Sequence, residues 1–530
     1  MPDSLPSAHP RPLVWDVSHH ASGHEPEEPK WVPYSYSVDK LVTQISGNRI
    51  GTPIHTIDED ALLNIFHTLG LYFIDRYDDV VFRANWDRAR WWYKPAQVCR
   101  RWRDLILASP VRLDLHLVCT YGTPVANMLA YSPPLPLVID YLDRNRERTT
   151  DDDDGILLAL QHCDRVRRIG LVVPATNLLR PLIAMAGRFP ILERLFIRSQ
   201  TGNDTSLMLP TTLQAPALRG LALSCLALPP GSPLLTTSPG LVILVLERIP
   251  PSAYFPPSHL LARLSSLTQL QTLSIGFTYP APASDAEGKL LHTQTMAHVT
   301  LPNLRSLFFH GSNAYLEALL ARLNTPQLEI LHVWFYCQST FNSLHLSQFS
   351  SAIHKVQFRT AQLHFYPSEV VLIAPKASER DWVPFRVQIT CTHLDWQVAS
   401  AVQVFGAFAT ILSVVERLAL KYYDYDDPWE RHRDNDVDPM QWRELLRPFR
   451  NVKTLSVADT LVGELSGSLR LGDGESSLEW LLPELRELRY AGGDRADEAF
   501  APFIHARQTA GRPIDLVRDS DPRRSLAPSS

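Results

Sequence analysis

Catalysis needs reactive groups at short, fixed spacings, and this 530-residue sequence offers few of them. It contains no G-x-x-x-x-G-K-[ST], no G-x-G-x-x-G opening a helix, no G-x-S-x-G and no H-E-x-x-H. The commonest phosphate-cradling, dinucleotide, serine-hydrolase and zinc-protease arrangements therefore have no sequence basis, and the chain is expected to be non-catalytic. Two acidic clusters, Asp151 to Asp154 and Asp424, Asp426, Asp427, Asp434, Asp436 and Asp438, supply carboxylates. The second lacks the glycine and the closing glutamate of a calcium loop at the required offsets, so it is expected to be a solvated loop. His19-His20 is expected to be tail. The six cysteines (99, 119, 163, 225, 337, 391) form no C-x-x-C and no cluster, so neither a disulfide nor a metal or other cofactor is expected. What does recur at fixed spacing is a set of cations and aromatics, chemistry suited to holding a partner.

The elements that must position them are repeats. A phrase of the form apolar-x-x-apolar-x-apolar occurs eleven times, starting at residues 166, 192, 218, 241, 270, 304, 328, 353, 415, 452 and 485. Starts lie 23 to 37 residues apart except for one gap of 62, where V-P-F-R-V-Q-I-T-C (383 to 391) alternates strictly and is the candidate twelfth copy. Such intervals suit one strand plus a return segment, an irregular leucine-rich repeat. On a strand the second and third apolar residues point to one side and the intervening ones to the other. Helical return pieces are expected at Tyr315 to Leu323 and along Val398, Val402, Phe405, Phe408 and Leu412. Proline before many phrases (Pro190, Pro216, Pro239, Pro302, Pro326, Pro483) marks the turn into the strand.

The outward positions of the eleven copies hold eight Lys or Arg (Arg168, Arg194, Arg198, Lys355, Arg359, Arg417, Lys421, Arg489) against two acids, Glu247 and Glu487. Chain composition alone would place about three of each there. Phe196, Phe308, His310, His332 and Trp334 share these positions, giving the aromatic and arginine mixture of binding hot spots. A basic inner face that captures an acidic or phosphorylated client segment is therefore expected, with Arg194, Phe196, Arg198, Phe308, His310, His332, Trp334, Arg359 and Lys421 as the contact set.

Ahead of the repeats come two short amphipathic segments. In I-D-E-D-A-L-L-N-I-F (57 to 66), Leu62, Ile65, Phe66 and Leu69 fall at i, i+3, i+4 and i+7, with Asp58, Glu59 and Asp60 in the opening turn, where the helix dipole favours acids. In the second, Pro95 suits a first turn, Val98, Trp102, Leu105 and Ile106 form the stripe, and Ser109-Pro110 ends it. D-A-L-L-N-I-F (60 to 66) and A-Q-V-C-R-R-W-R-D-L (96 to 105) resemble the F-box, the helical module that docks on the adaptor Skp1 in cullin-based ubiquitin ligases. Thr56-Ile57 replaces the Leu-Pro pair that usually opens it, and an aromatic-rich insertion fills 72 to 93. S-P-V-R-L-D-L-H-L-V-C-T (109 to 120), I-T-C-T-H-L-D-W-Q-V (389 to 398) and W-R-E-L-L-R-P-F (442 to 449) extend the similarity to fungal F-box proteins with C-terminal irregular leucine-rich repeats.

The resemblance implies a fold of class α/β solenoid, about 11 to 13 repeats, preceded by a small all-α module. The expected division is a disordered tail (1 to 50), the F-box-like module (51 to 110), the repeat body (111 to 516) and a disordered tail (517 to 530). It also implies a substrate-recognition subunit of an SCF-type (Skp1-cullin-F-box) E3 ligase. Ile57, Leu62, Ile65, Phe66, Val98 and Trp102 would dock the Skp1-like adaptor and, through it, the cullin. A repeat scaffold without a ligase role and a nucleic-acid binder using a basic concave face stay open as alternatives. Net charge of −5 and pI near 6.4 weigh against nucleic acid. The uncharged stretch Trp396 to Val415 reads as a buried amphipathic helix, no membrane contact is expected, and the start of the chain has no signal-peptide pattern. A cytoplasmic or nuclear location is the corresponding expectation.

Overall fold

A computed structural model describes residues 57–74, 91–143, 146, 148–200, 207–229, 231–278, 298–336, 338, 340–352, 356, 358–375, 383–423, 437–469, 481–490 and 494–518. The chain divides into two units, Met1–Ile65 and Phe66–Ser530. The expected N-terminal tail, most of the 72 to 93 insertion and Lys355 lie outside the described residues. In the first unit the described residues begin the helix Glu59–Ile74, whose N-terminus is capped by Asp58: its Oδ1 accepts the Ala61 amide at 2.7 Å.

The second unit is an α/β fold built on a large, mostly parallel sheet of sixteen strands that does not close into a barrel. In chain order these are β1 (Leu117–Cys119), β2 (Leu137–Tyr141), β3 (Val166–Val173), β4 (Arg194–Ser199), β5 (Gly220–Ser224), β6 (Ile243–Ile249) and β7 (Thr272–Phe277). After β8 (Val299–Thr300) come β9 (Ser306–Gly311), β10 (Leu323–Asn324), β11 (Ile330–Phe335), β12 (Thr360–Tyr366), β13 (Glu369–Ile373) and β14 (Phe385–Thr390). The last are β15 (Arg417–Tyr422), β16 (Thr454–Val457), β17 (Glu487–Tyr490) and β18 (Asp515–Arg518). Spatial order follows the chain from β1 to β11, with β8 and β10 forming a separate parallel pair, then runs β14-β13-β12 before resuming β15 to β18. Only β13 is antiparallel to its neighbours.

The phrase read from the sequence has a local physical cause. In nine copies the first apolar residue (Leu192, Leu218, Leu241, Leu270, Leu304, Leu328, Val415, Val452, Leu485) donates its amide to the carbonyl three residues earlier, closing a turn. The strand starts two residues later, and the next two apolar positions of the phrase face the core. In β4 the pattern is plain: Leu192, Leu195 and Ile197 are fully buried while Arg194, Phe196 and Arg198 are partly exposed. Each such side chain contributes roughly 1.5–3 kcal/mol of burial, so a unit is held chiefly by its neighbours. Return segments include the helices Ala175–Ala184, Pro257–Leu264, Asn313–Leu320, Leu344–Ala352, Leu394–Ala407, Pro439–Leu446 and Val462–Leu469, most of them packed on the next in the series.

Several expectations need correction. In I-H-K-V-Q-F (353 to 358) the described residues, Val356 and Phe358, are not in a strand. Val356 and Phe358 are buried, Phe358 stacking on Phe385 at 5.3 Å, but pairing begins at Thr360, so Arg359 stands before β12 rather than on its open face. The 383 to 391 segment does carry a strand, β14, and it pairs parallel to β11. Asp151 to Asp154, an acidic run noted in the sequence, have a structural place. They open the helix Thr150–Gln161, where buried Asp152 forms a capping box with Thr149 and accepts the Gly122 amide at 2.8 Å. The sheet also runs to Arg518, past the expected boundary at 516. Trp396 to Val415 breaks into the helices Leu394–Ala407 and Ala409–Leu412, and no described helix is long and apolar enough to cross a membrane.

Candidate functional site

Parallel register turns the outward residues into rows. One row runs Arg168, Arg194, Gly220, Ile243, Thr272, Ser306, Ile330; the next runs Gly170, Phe196, Ala222, Val245, Ser274, Phe308, His332. β5 and β7 carry only small outward residues, so the side chains of β4, β6 and β9 stand as ridges above them. The contact set expected from the sequence therefore falls into separate groups. Arg194, Phe196 and Arg198 share β4. Four and five strand spacings away, on the order of 19 to 24 Å, lie the aromatics of β9 and β11.

The aromatic group is closely packed. His310 stacks on Trp334 with centroids 4.1 Å apart, Phe308 meets His332 edge-on at 4.9 Å, and Tyr336 lies 4.8 Å from His310. Trp334 Nε1 donates to Thr390 Oγ1 at 3.0 Å, and His332 Nε2 donates to the Val383 carbonyl at 2.7 Å, which fixes both rings. Burial, with Arg248 adding to it, pushes His310 down to about 4, and burial also lowers His332. This part of the face is an aromatic ledge in which burial disfavours charge on the histidines.

Beyond it, β12, β13 and β14 contribute a polar network that phrase counting missed. His364 donates from Nε2 to Gln362 Oε1 at 2.9 Å and accepts from Tyr366 Oη at Nδ1, 3.1 Å away, a neutral tautomer. Burial lowers its pKa to about 4. Lys421 shares Gln362 Oε1 at 3.4 Å, its own pKa lowered by burial, so it is spent inside the protein rather than offered to a client. Arg386 donates to Gln388, which in turn donates to Glu369. The signal was present in T-A-Q-L-H-F-Y, where Gln362, His364 and Tyr366 alternate with core residues, but the phrase before it absorbed the reading. Arg489 is paired with Glu487 at 2.9 Å on its own strand. Arg168, Arg194 and Arg198 remain as one cluster of positive charge on this face, and Arg417 stands exposed at the start of β15.

The expected docking residues separate by burial. In the first unit Ile57 is partly exposed, Leu62 is buried at 1% exposure and Ile65 is 47% exposed. In the second, Phe66 is also buried at 1%, its ring meeting the edge of Trp102 at 5.0 Å, while Leu69 and Val98 are 39% and 62% exposed. Leu62 and Phe66 are therefore core residues rather than contact residues. The helices Tyr93–Val98 and Arg100–Ala108 are joined at Cys99, whose Sγ accepts the Trp102 amide, and Arg103 Nε donates back to the Ala96 carbonyl at 3.0 Å. Trp91 and Trp92, read as part of the insertion, are buried: Trp91 fills the space beside Gly70, and Trp92 Nε1 donates to the His116 carbonyl at 3.2 Å. Gly70 leaves only 3.1 Å between a Cβ and that indole, so the ring and the glycine fit as a pair.

No protein-family model and no curated protein matches this sequence.

Proposed function

We propose that the chain is a non-catalytic substrate-recognition subunit of an SCF-type ubiquitin ligase. Its F-box-like segment would dock a Skp1-like adaptor, and its strand units, read as an irregular leucine-rich-repeat solenoid, would hold a client protein on the open face of the sheet. The observation that carries this reading is the exposure of large apolar side chains on helices that also supply buried ones: Ile65 in the first unit and Leu69 and Val98 in the second stand at the surface, while Leu62, Leu63, Phe66 and Ala96 are buried. Surface valine at 62% exposure beside a core Phe66–Trp102 contact is the distribution expected of a docking helix. The sequence strings quoted above supply the identity of the partner, and the physics supplies only that a partner fits. Ubiquitin transfer would then rest on proximity: one chain binding adaptor and client raises the effective concentration of client lysines at the charged carrier.

The test is co-expression with Skp1 and size-exclusion chromatography of wild type against Val98→Lys. Lysine at the last residue of a helix suits the dipole, so folding is retained. Co-elution of the wild type, lost in the variant, supports the ligase reading. Failure of the wild type to co-elute removes it and leaves a repeat scaffold.

A further inference from the structure

We propose that Arg168 and Arg194 form a receptor for a dianionic oxyanion of the phosphate class. The inference stands whether or not the chain docks an adaptor. Arg168 on β3 and Arg194 on β4 are direct register partners, both on the open face. Like charges placed opposite each other on neighbouring strands, with backbones about 4.8 Å apart, destabilise a sheet. No acid among the described residues forms an ion pair with either arginine; Glu193 and Asp114 act on Arg168 only from a distance. The acids nearest in register are engaged elsewhere: Arg167 takes both Asp114 and Glu193, the latter at 2.9 Å, and Asp140 accepts the Leu142 amide at 3.2 Å. Arg168 Nε is sealed from solvent and has no hydrogen-bond partner. Burial, then Arg194, then Arg167 hold the Arg168 guanidinium below its usual pKa, outweighing the opposing pull of Glu193 and Asp114.

The surroundings are shaped for a ligand. Gly220, next in register after Arg194, is buried and has no side chain, and a Cβ there would meet only Arg194 Cγ, at 3.6 Å, so no side chain of its own fills the space beside Arg194. Leu142 lies over Gly170, 3.1 Å from where its Cβ would sit, and walls the other side with apolar surface. Phe196, one row along, closes the site beyond Gly170. A single carboxylate would leave one cation uncompensated. A phosphate monoester, carrying a charge near −2 and three acceptor oxygens, would match both guanidinium forks.

The test uses the full chain, inorganic phosphate and a peptide bearing one phosphoserine, followed by calorimetric titration and thermal melting against chloride at equal ionic strength. The expected result is saturable phosphate binding that raises the melting temperature where chloride does not. Arg168→Gln and Arg194→Gln should each weaken it about tenfold or more. Because each variant relieves like-charge repulsion, both should melt at or above wild type in chloride. Tighter binding of the phosphopeptide than of phosphate assigns the ligand to a modified protein; equal or weaker binding assigns it to a free phosphate compound. Absence of saturable binding, wild-type affinity in Arg194→Gln, or variants that melt well below wild type in chloride would overturn the proposal.

Discussion

His310 stacks on Trp334 with ring planes 13° apart, and burial holds this imidazole neutral. His116 and His364 are likewise pushed down to about 4, His116 accepting a hydrogen bond from Arg167 at Nε2. In the unfolded chain each titrates near 6.5. Above that pH both states are neutral and the native contacts count in full. As pH falls from 6.5 towards 4 the unfolded chain takes up protons that the native one refuses, so stability is lost across that window. A loss of about 1–3 kcal/mol per histidine is expected. Urea melts between pH 7.5 and 4 check it. His310→Phe, which keeps the stack, should lose less stability on acidification than wild type.

Val98 and Phe66 should respond in opposite ways to substitution. Val98→Lys changes an exposed side chain and is expected within about 0.5 kcal/mol of wild-type stability while abolishing adaptor binding. Phe66→Ala removes a buried ring from its contact with Trp102 and should cost about 3–5 kcal/mol. Melts run beside the chromatography separate the two effects. A Val98→Lys protein that unfolds early would mean this surface is already covered within the chain.

Glu317 is a buried carboxylate on the helix Asn313–Leu320, and it accepts the amides of His345 at 2.8 Å and Leu346 at 2.7 Å, the opening of the helix Leu344–Ala352. Glu317→Ala orphans two donors at once and should destabilise by about 2–4 kcal/mol, whereas Glu317→Gln, which keeps one acceptor, should cost less. Equal losses in the two variants would show that the capping bonds carry little of the stability.

Gly311 ends β9 where a Cβ would fall 2.8 Å from Phe309 Cζ and 3.1 Å from Phe277. Gly311→Ala is expected to cost about 1–3 kcal/mol through overpacking. Wild-type melting of this variant would mean that both rings move aside freely.

The strand units were legible because their cause is local. Leu192, Leu195 and Ile197 recur at the spacing that a turn followed by a strand imposes, and ten of the eleven phrases lead into strands. Val356 and Phe358 kept the same alternation and buried the same way, yet strand pairing starts beyond them at Thr360; periodicity reports burial and not hydrogen bonding. β1, β2 and β18 were missed because short apolar runs such as L-V-C carry no repeat phrase. The charge tally over-read the open face, since a count cannot see Arg489 paired with Glu487 two residues before it, nor Lys421 turned to Gln362. For the helix Glu59–Ile74, a stripe at helical spacing did not reveal which flank is covered. Leu62 and Phe66 face inward while Ile65 and Leu69 remain at the surface.

The hairpin order β14-β13-β12 has a kinetic consequence. From β1 to β7 and from β15 to β18 each strand is laid against the one just completed, so those stretches of the sheet grow by short-range additions. At this joint the strand that pairs with β11 is the last of its group, and some fifty residues separate Phe335 from Phe385. Closing that loop carries an entropic cost before any ladder bond offsets it. Closing this joint is therefore expected to be slower than adding a strand within the stretches on either side of it.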